Sequence, residues 1–441
     1  MSTDTPNEST TDATATDAPL VELRDLKKHY DRSSGVLDDL LGAPPSVKAV
    51  DGVDLTVREG ETVAVVGESG CGKSTLGRTV LNLEKPTAGT IEYRGEDITG
   101  LSDDEMRPYR RDLQMVFQDP LASLNPRQTV RDIITTPMEV HGVGDSDEER
   151  AERAKDLLER VGLKAAHVDR YPHQFSGGQQ QRIAVARALT LEPDLLVADE
   201  PVSALDVSVQ AQLLNLFGDL QADLGLSMLF ISHDMSVVRQ VADRVAVMYL
   251  GEIVEVAPVE ELFDDPHHPY TKSLLSAVPR IDPDRRTERT TLEGTVPSPA
   301  DPPSGCRFHT RCPAVVPPDD WTADQETFRD AFTFRCRVLD GEIDPDAVRS
   351  RLESRGQATD EDAIADYVVE SALPTSLDAL PEAKRDAVRE AATCLASGDV
   401  TGAESAVRDA FPSPCEQETP VTTAVGAGHA AACHRVGDGR E

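Results

Sequence analysis

Eight residues constrain this chain more than any others. Gly67-Glu68-Ser69-Gly70-Cys71-Gly72-Lys73-Ser74 has the spacing G-x-x-x-x-G-K-S/T. It directly follows Glu61 to Val66, a short, apolar, β-branched run of the kind that forms a buried strand. Glycines so placed let the backbone wrap tightly, so that successive N–H groups face one anion. A helix beginning at Lys73 adds the positive end of its dipole. In that setting Lys73 reaches β- and γ-phosphates and the Ser74 hydroxyl can ligate Mg2+. Gly67 to Thr75 is therefore a candidate nucleotide cradle. Cys71 reads as a small residue that fits the loop; the sharper alternative is a thiol whose modification blocks the nucleotide.

A second apolar run, Leu195-Leu196-Val197-Ala198, ends in two carboxylates, Asp199 and Glu200. A strand of this type places them at the carboxyl edge of a sheet, beside the cradle. Asp199 can hold Mg2+, and Glu200 can polarise an attacking water. Strand-like runs at Leu20–Tyr30, Val50–Val57, Leu113–Phe117 and Met228–Ile231 alternate with helical stretches from Lys73, from Thr129 to Val161 and from Ser208 to Leu224. That alternation predicts an α/β fold with a mostly parallel sheet and helices on its faces.

Asp and Glu total 79 against 44 Lys and Arg, a formal net charge of -35 over 441 residues. A surface this negative repels nucleic acid, so no nucleic-acid partner is expected, and it suits a salt-rich cytoplasm. Hydrophobic residues at 39% are enough for a large core. No apolar run approaches the roughly 20 residues that span a bilayer. Residues 1–19 are polar and acidic and carry no secretory pattern; they read as a disordered tail. The expectation is a cytoplasmic protein that meets a membrane only through partners. The seven cysteines do not form a disulfide framework, and some can serve as metal ligands.

Phe175-Ser176-Gly177-Gly178-Gln179, followed by Gln181-Arg182, resembles the LSGGQ signature of ABC transporter ATPases. Other family elements stand around it in family order. Tyr30 lies where the family has an aromatic that stacks on adenine. Gln118, in Phe117-Gln118-Asp119-Pro120, resembles the Q-loop glutamine. Ser203-Ala204-Leu205-Asp206 resembles the D-loop, and His233, in Ile231-Ser232-His233-Asp234, the switch histidine. The resemblance runs from residue 20 to 258 and implies a P-loop ATPase core with a helical subdomain at about 119–172. It implies ATP and Mg2+, with Ser74, Gln118 and Asp199 at the metal and with Glu200, His233 and Gln118 in hydrolysis. It further implies a head-to-tail pair of ATPase domains in which Ser176, Gly177, Gly178, Gln179 and Asp206 of one face the cradle of the other.

Beyond residue 258 the resemblance narrows. His268-Pro269-Tyr270-Thr271, Val296-Pro297-Ser298-Pro299, and Pro302 to His309 with Arg311-Cys312-Pro313 resemble the C-terminal extension of dipeptide/oligopeptide importer ATPases, the second ATPase subunit above all. The implied companions are a distinct second ATPase subunit, two permease subunits and an extracellular peptide-binding protein, with this chain on the cytoplasmic face of the membrane. Nickel importers share the pattern, and a soluble non-transport ABC ATPase is the alternative class. Residues 314–411 read as an acidic helical insertion that splits the extension into 259–313 and 412–441. Cys306, Cys312, Cys415 and Cys433 would then reunite in space, as ligands of a 4Fe-4S cluster, of tetrahedral zinc, or as packed thiols. Cys336 and Cys394 read as ordinary buried residues.

Overall fold

The computed structural model describes residues 19–31, 46–278, 292 and 294–436. The acidic tail before Pro19 and most of the polar stretch from Asp31 to Pro45 lie outside the described residues. The chain divides into two compact units at the Leu262–Phe263 junction.

The first unit holds two sheets. One is antiparallel, in the order β2-β1-β4-β5, from β1 (Pro19–Tyr30), β2 (Val47–Arg58), β4 (Ala88–Tyr93) and the short β5 (Glu96–Asp97). The other contains β3 (Thr62–Val66), β6 (Leu113–Val116), β7 (Leu195–Asp199), β8 (Ser227–Ser232), β9 (Arg244–Tyr249) and β10 (Glu252–Pro258), in the order β10-β9-β3-β8-β7-β6. All its pairings are parallel except β9 with β10. Every residue of β3, β7 and β8 is buried, as it must be in parallel strands covered on both faces.

Alternate residues of these strands feed two cores. Val63, Val65, Val197, Leu229 and Ile231 pack toward β1, β2, β4 and helix α1 (Lys73–Val80). Leu196, Ala198, Met228 and Phe230 pack toward the helical side. That side includes α2 (Val130–His141), α3 (Asp147–Arg160), α4 (Gly177–Ala188), α5 (Val207–Leu224) and α6 (Met235–Val241). The helical run expected from Thr129 to Val161 is in fact two helices. Gly142 ends α2 in the left-handed conformation, and the Ser146 side chain caps α3.

Register sets the position of the site. Val66 lies opposite Ser232, and Asp199 opposite Ile231. The carboxyl ends of β3, β7 and β8 are therefore level, and Gly67, Glu200 and His233 leave one sheet edge together.

The second unit begins with α7 (Pro269–Ser276), capped by His268. Five longer helices follow: α8 (Gln325–Leu339), α9 (Pro345–Ser354), α10 (Glu361–Ala372), α11 (Glu382–Ser397) and α12 (Val400–Arg408). Many of the acids between 324 and 399 have local roles, because Asp324, Asp344, Asp360 and Asp399 each cap a helix with their side chain. Phe328, Phe332, Phe334, Val368, Val388, Val407 and Phe411 are fully buried, with Trp321 edge-on to Phe328 at 5.0 Å. Cys336 and Cys394, expected to be buried, are half-buried on α8 and α11. The short helix α13 (Pro414–Gln417) and the hairpin β11 (Thr422–Gly426) with β12 (His429–Ala432) complete the unit.

Candidate functional site

The loop after β3 is shaped by what lies behind it. At Gly67 a Cβ would sit 2.1 Å from the Met248 carbonyl oxygen. At Gly72, with φ +108°, it would sit 1.8 Å from that of Ala49. Only glycine fits at either place. Gly72 caps α1 without a side-chain bond, and the first turn carries no acid, so the helix start keeps its N–H groups for an anion. Ser69 and Gly70 are exposed at the loop tip.

Lys73 is only 4% exposed. Its Nζ donates to the carbonyls of Gly67 at 2.8 Å and Glu68 at 2.9 Å, inside the curl of the loop. The Ser74 hydroxyl donates to Asp199 Oδ1 at 2.8 Å. Asp199 is 1% exposed, and burial holds its carboxyl above the usual range, opposed mainly by the Ser74 bond. Two oxygens in contact, a hydroxyl and a buried carboxyl, form a donor set suited to Mg2+.

Glu200 occupies the left-handed region at φ 43° and donates its N–H to the Ile231 carbonyl at 3.0 Å. A non-glycine residue held there stores strain of order 1–3 kcal/mol, the kind found where a side chain must be aimed. Gln118 Nε2 donates to Glu200 Oε2 at 2.9 Å, and His233 Nδ1 lies 3.2 Å from Oε1. Three residues from three different strand ends thus meet on one carboxylate. Tyr30, at the end of β1, bonds through its hydroxyl to Glu84 and neighbours Thr75 of α1; burial is the main cause of its raised phenol pKa. Cys71 is buried, and burial pushes its thiol up, so the packing role fits it and the reactive one does not.

Ser176 and Gln179 bind each other at the start of α4. The serine hydroxyl accepts the Gln179 N–H at 3.4 Å, and the Gln179 side chain accepts the Ser176 N–H at 3.1 Å. Gly177 is open to its surroundings, while a Cβ on Gly178 would lie 2.3 Å from the Val209 side chain. Asp206 caps α5, and its bonds with Ser208 and the Val209 N–H hold its carboxyl below the usual range.

Two contributors escaped the sequence reading. Arg187 on α4 donates to the Ser123 carbonyl at 2.6 Å, tying that helix to the segment after Gln118. Gln180, buried, donates to the carbonyls of Pro172 and Phe175 and shapes the turn before Ser176. The available signal was polar residues on the stripe Gln180, Ile183, Ala184, Arg187, whose spacing is that of a buried helical face.

In the second unit the Cys306 N–H donates to the Cys415 carbonyl at 2.7 Å. Burial pushes the Cys306 thiol well up, and the nearby thiols of Cys312, Cys415 and Cys433 add to that push. Cys312 is pushed up to about 12, again by burial first. Residues more than a hundred positions apart are thus brought into one neighbourhood. Among the described residues, no group of three or more His, Cys, Asp or Glu side chains is arranged to hold a metal ion.

Comparison with known proteins agrees with this geometry. The chain is 54% identical over 301 residues to the oligopeptide transport ATP-binding protein AppF of Bacillus subtilis, covering 68% of this chain and 90% of that one. The chain belongs to the ABC transporter family. The family described as ABC transporter matches residues 50–203, and the oligopeptide/dipeptide transporter C-terminal region matches 254–318. The oligopeptide transport ATP-binding protein OppF of Salmonella typhimurium is 52% identical over the same length, covering 68% of this chain and 90% of its own. A domain of unknown function (DUF8228) matches 325–428, the helical region of the second unit. As an ABC ATPase the chain takes ATP with Mg2+ and hydrolyses it. Among the described residues no helix is long and apolar enough to cross a membrane.

Proposed function

We propose that this chain is the ATP-hydrolysing subunit of an importer for dipeptides and oligopeptides, bound at the cytoplasmic face of the membrane. Its companions are a second ATPase subunit, two permease subunits and an extracellular peptide-binding protein. One observation carries the reading: similarity to the two oligopeptide transport proteins spans 301 residues and takes in the extension as well as the ATPase core.

In this reading the loop from Gly67 to Thr75 cradles the phosphates and Tyr30 stacks on the base. Ser74, Asp199 and Gln118 hold Mg2+, which offsets phosphate charge when bound. Glu200 accepts a proton from the attacking water, and His233 steadies the γ-phosphate. The second ATPase subunit closes the site with its counterpart of Ser176 to Gln179 and Asp206, and this chain's segment does the same for its mate. Shifting such a pair from 1:99 closed-to-open to 99:1 needs about 5.5 kcal/mol of differential binding. A few charge-assisted hydrogen bonds at ~1.5–3 kcal/mol each supply it, and loss of phosphate removes it.

The test is Glu200→Gln, which keeps shape and removes the base. Turnover should fall by about 10²–10⁴-fold while ATP still binds and holds the subunits paired; unchanged turnover sinks the assignment. Uptake by the reconstituted transporter decides the cargo: labelled peptide is expected, and nickel uptake in its place overturns the substrate class.

We further propose that Cys306, Cys312, Cys415 and Cys433 hold a 4Fe-4S cluster. Four sulfur donors suit such a cluster, and the thiols of Cys312, Cys415 and Cys433 lie near enough to Cys306 to act on its charge. Iron and acid-labile sulfide in anaerobically purified protein should be stoichiometric; bound zinc, or neither metal, refutes it.

A further inference from the structure

The far end of α1 makes a contact that the nucleotide assignments leave unused. After Val80 the chain closes a turn on the helix. The Asn82 N–H donates to the Thr79 carbonyl and the Leu83 N–H to the Arg78 carbonyl, each at 2.9 Å. Asn82 sits at φ 54°, the left-handed position that such a helix stop requires and that asparagine tolerates better than most residues. Its buried side chain donates to the Ile98 carbonyl at 3.0 Å, which pins the turn from the other side. Glu84, whose N–H returns to the Arg78 carbonyl at 3.3 Å, therefore leaves α1 in a fixed direction.

That direction is toward Tyr30. The tyrosine hydroxyl donates to Glu84 Oε2, and Arg78 Nη1 stands 3.6 Å from Oε1 of the same carboxylate. A second residue fixes the ring itself. Lys28 Nζ lies over it, 4.9 Å from the centroid and within cation–π reach. The same ammonium donates to the Lys85 carbonyl at 2.9 Å, next to Glu84 in the chain. Tyr30 is thus held at its hydroxyl and at one face, yet it stays 37% exposed. A planar ligand has the other face left to stack on.

We propose that Glu84 and Lys28 are positioning residues for the base of the nucleotide: Glu84 fixes the Tyr30 ring through its hydroxyl, Lys28 closes one ring face, and adenine stacks on the other. This role rests on Tyr30 being the base-stacking aromatic, as assigned above. The gain is preorganisation. A loose tyrosine at a strand end gives up side-chain freedom when a base stacks on it. One already held loses little, so more of the stacking shows as affinity. The arrangement also ties both ends of the nucleotide to one element. The start of α1 meets phosphate, and the turn at its finish sets the ring that meets the base.

The test is calorimetric titration of the full chain with MgATP and, in parallel, with magnesium tripolyphosphate, which carries the phosphates without a base. Glu84→Ala should weaken MgATP about three- to tenfold, the scale of one hydrogen bond, and leave tripolyphosphate unchanged. Glu84→Gln also releases Arg78 but still accepts the hydroxyl proton, so it should restore MgATP binding to within about twofold. Lys28→Met keeps the stem and removes the charge; it should cost about two- to fivefold for MgATP alone. Equal weakening of both ligands in Glu84→Ala, or no rescue by glutamine, overturns the proposal, because the turn would then support the cradle rather than the ring. Full MgATP affinity in Glu84→Ala and Lys28→Met, where Tyr30→Ala has lost it, also overturns the proposal and leaves the stacking assignment standing. Full affinity in Tyr30→Ala overturns the stacking assignment itself, and this role with it.

Discussion

Two helices in the first unit begin at glycine-rich turns, and they treat their free N–H groups in opposite ways. At α1 the cap is Gly72, without a side-chain bond, and the loop is pressed from behind by the Met248 and Ala49 carbonyls. At α4 the cap is Ser176, locked with Gln179 in a reciprocal pair. The first start leaves its donors for a ligand and gains its shape from burial. The second satisfies the Gln179 N–H with its own serine and stays exposed. A hydroxyl that accepts in a cap can still donate outward, so the cap aims the Ser176 proton rather than withdrawing it. A rigid half-site and a self-capped one would be the complementary parts of the head-to-tail pair proposed above.

The comparison breaks most easily at the first start. Gly72→Ala forces a Cβ against backbone at positive φ, and Lys73→Ala removes the buried cation. Both should abolish detectable binding of a fluorescent ATP analogue, a loss of at least about a hundredfold when more than one charge-assisted bond goes. Only Gly72→Ala should also lower the melting temperature markedly. Retained nucleotide affinity in Gly72→Ala would mean that the packing behind the loop does not set its shape.

At the second start, cap and phosphate contact can be separated. Ser176→Ala should cost about 1 kcal/mol of stability and also the ATP-dependent pairing. Ser176→Asp keeps an acceptor for the Gln179 N–H, so stability should hold, yet its charge repels the partner's γ-phosphate. Pairing should therefore fail in both variants, read by size-exclusion chromatography in a Glu200→Gln background, while only Ser176→Ala melts earlier. Pairing that survives Ser176→Asp would count against a phosphate role for this residue. A smaller effect is expected of Arg187→Lys, which shortens the reach to the Ser123 carbonyl. ATPase activity should fall severalfold with nucleotide affinity unchanged, since the residue positions the segment after Gln118 and does not touch the cradle.

Features written contiguously were legible in the sequence. The phosphate loop, the Asp199–Glu200 pair and the apolar runs of β3, β7 and β8 each declare themselves within a few residues, and burial on both faces leaves an unbroken apolar string. Features made by distant or half-exposed residues were not. The β9–β10 hairpin turns at Leu250 and Gly251, both at positive φ, and leucine gives no turn signal there. The break between α2 and α3 hid because acidic and apolar residues continue the helical pattern on both sides of Gly142. The acids of 324–399 looked like a uniform solvated face, because a capping aspartate differs from an exposed one only by the fold around it. Arg187 hid because its carbonyl partner is 64 residues away.

The finest test of the contrast uses thiol chemistry. Alkylation requires the thiolate, and burial raises the Cys71 pKa above its ordinary 9.0. The sign follows directly: the neutral buried thiol leaves the loop at full stability below that value, and stability declines as pH rises through the elevated folded value. Folded protein at about pH 8 should therefore label at Cys71 at least roughly tenfold more slowly than the same chain in urea, because burial both lowers the thiolate fraction and blocks the reagent. Gly177 is the matching probe at the other start, since a Cβ there meets nothing within 4 Å. Gly177→Cys should label rapidly at the same pH. In a Glu200→Gln background it should slow when ATP draws the mate over it, while Cys71, already closed in by its own chain, changes little. If Cys71 is the thiol whose labelling responds to pairing, the rigid and waiting roles belong to the opposite helix starts.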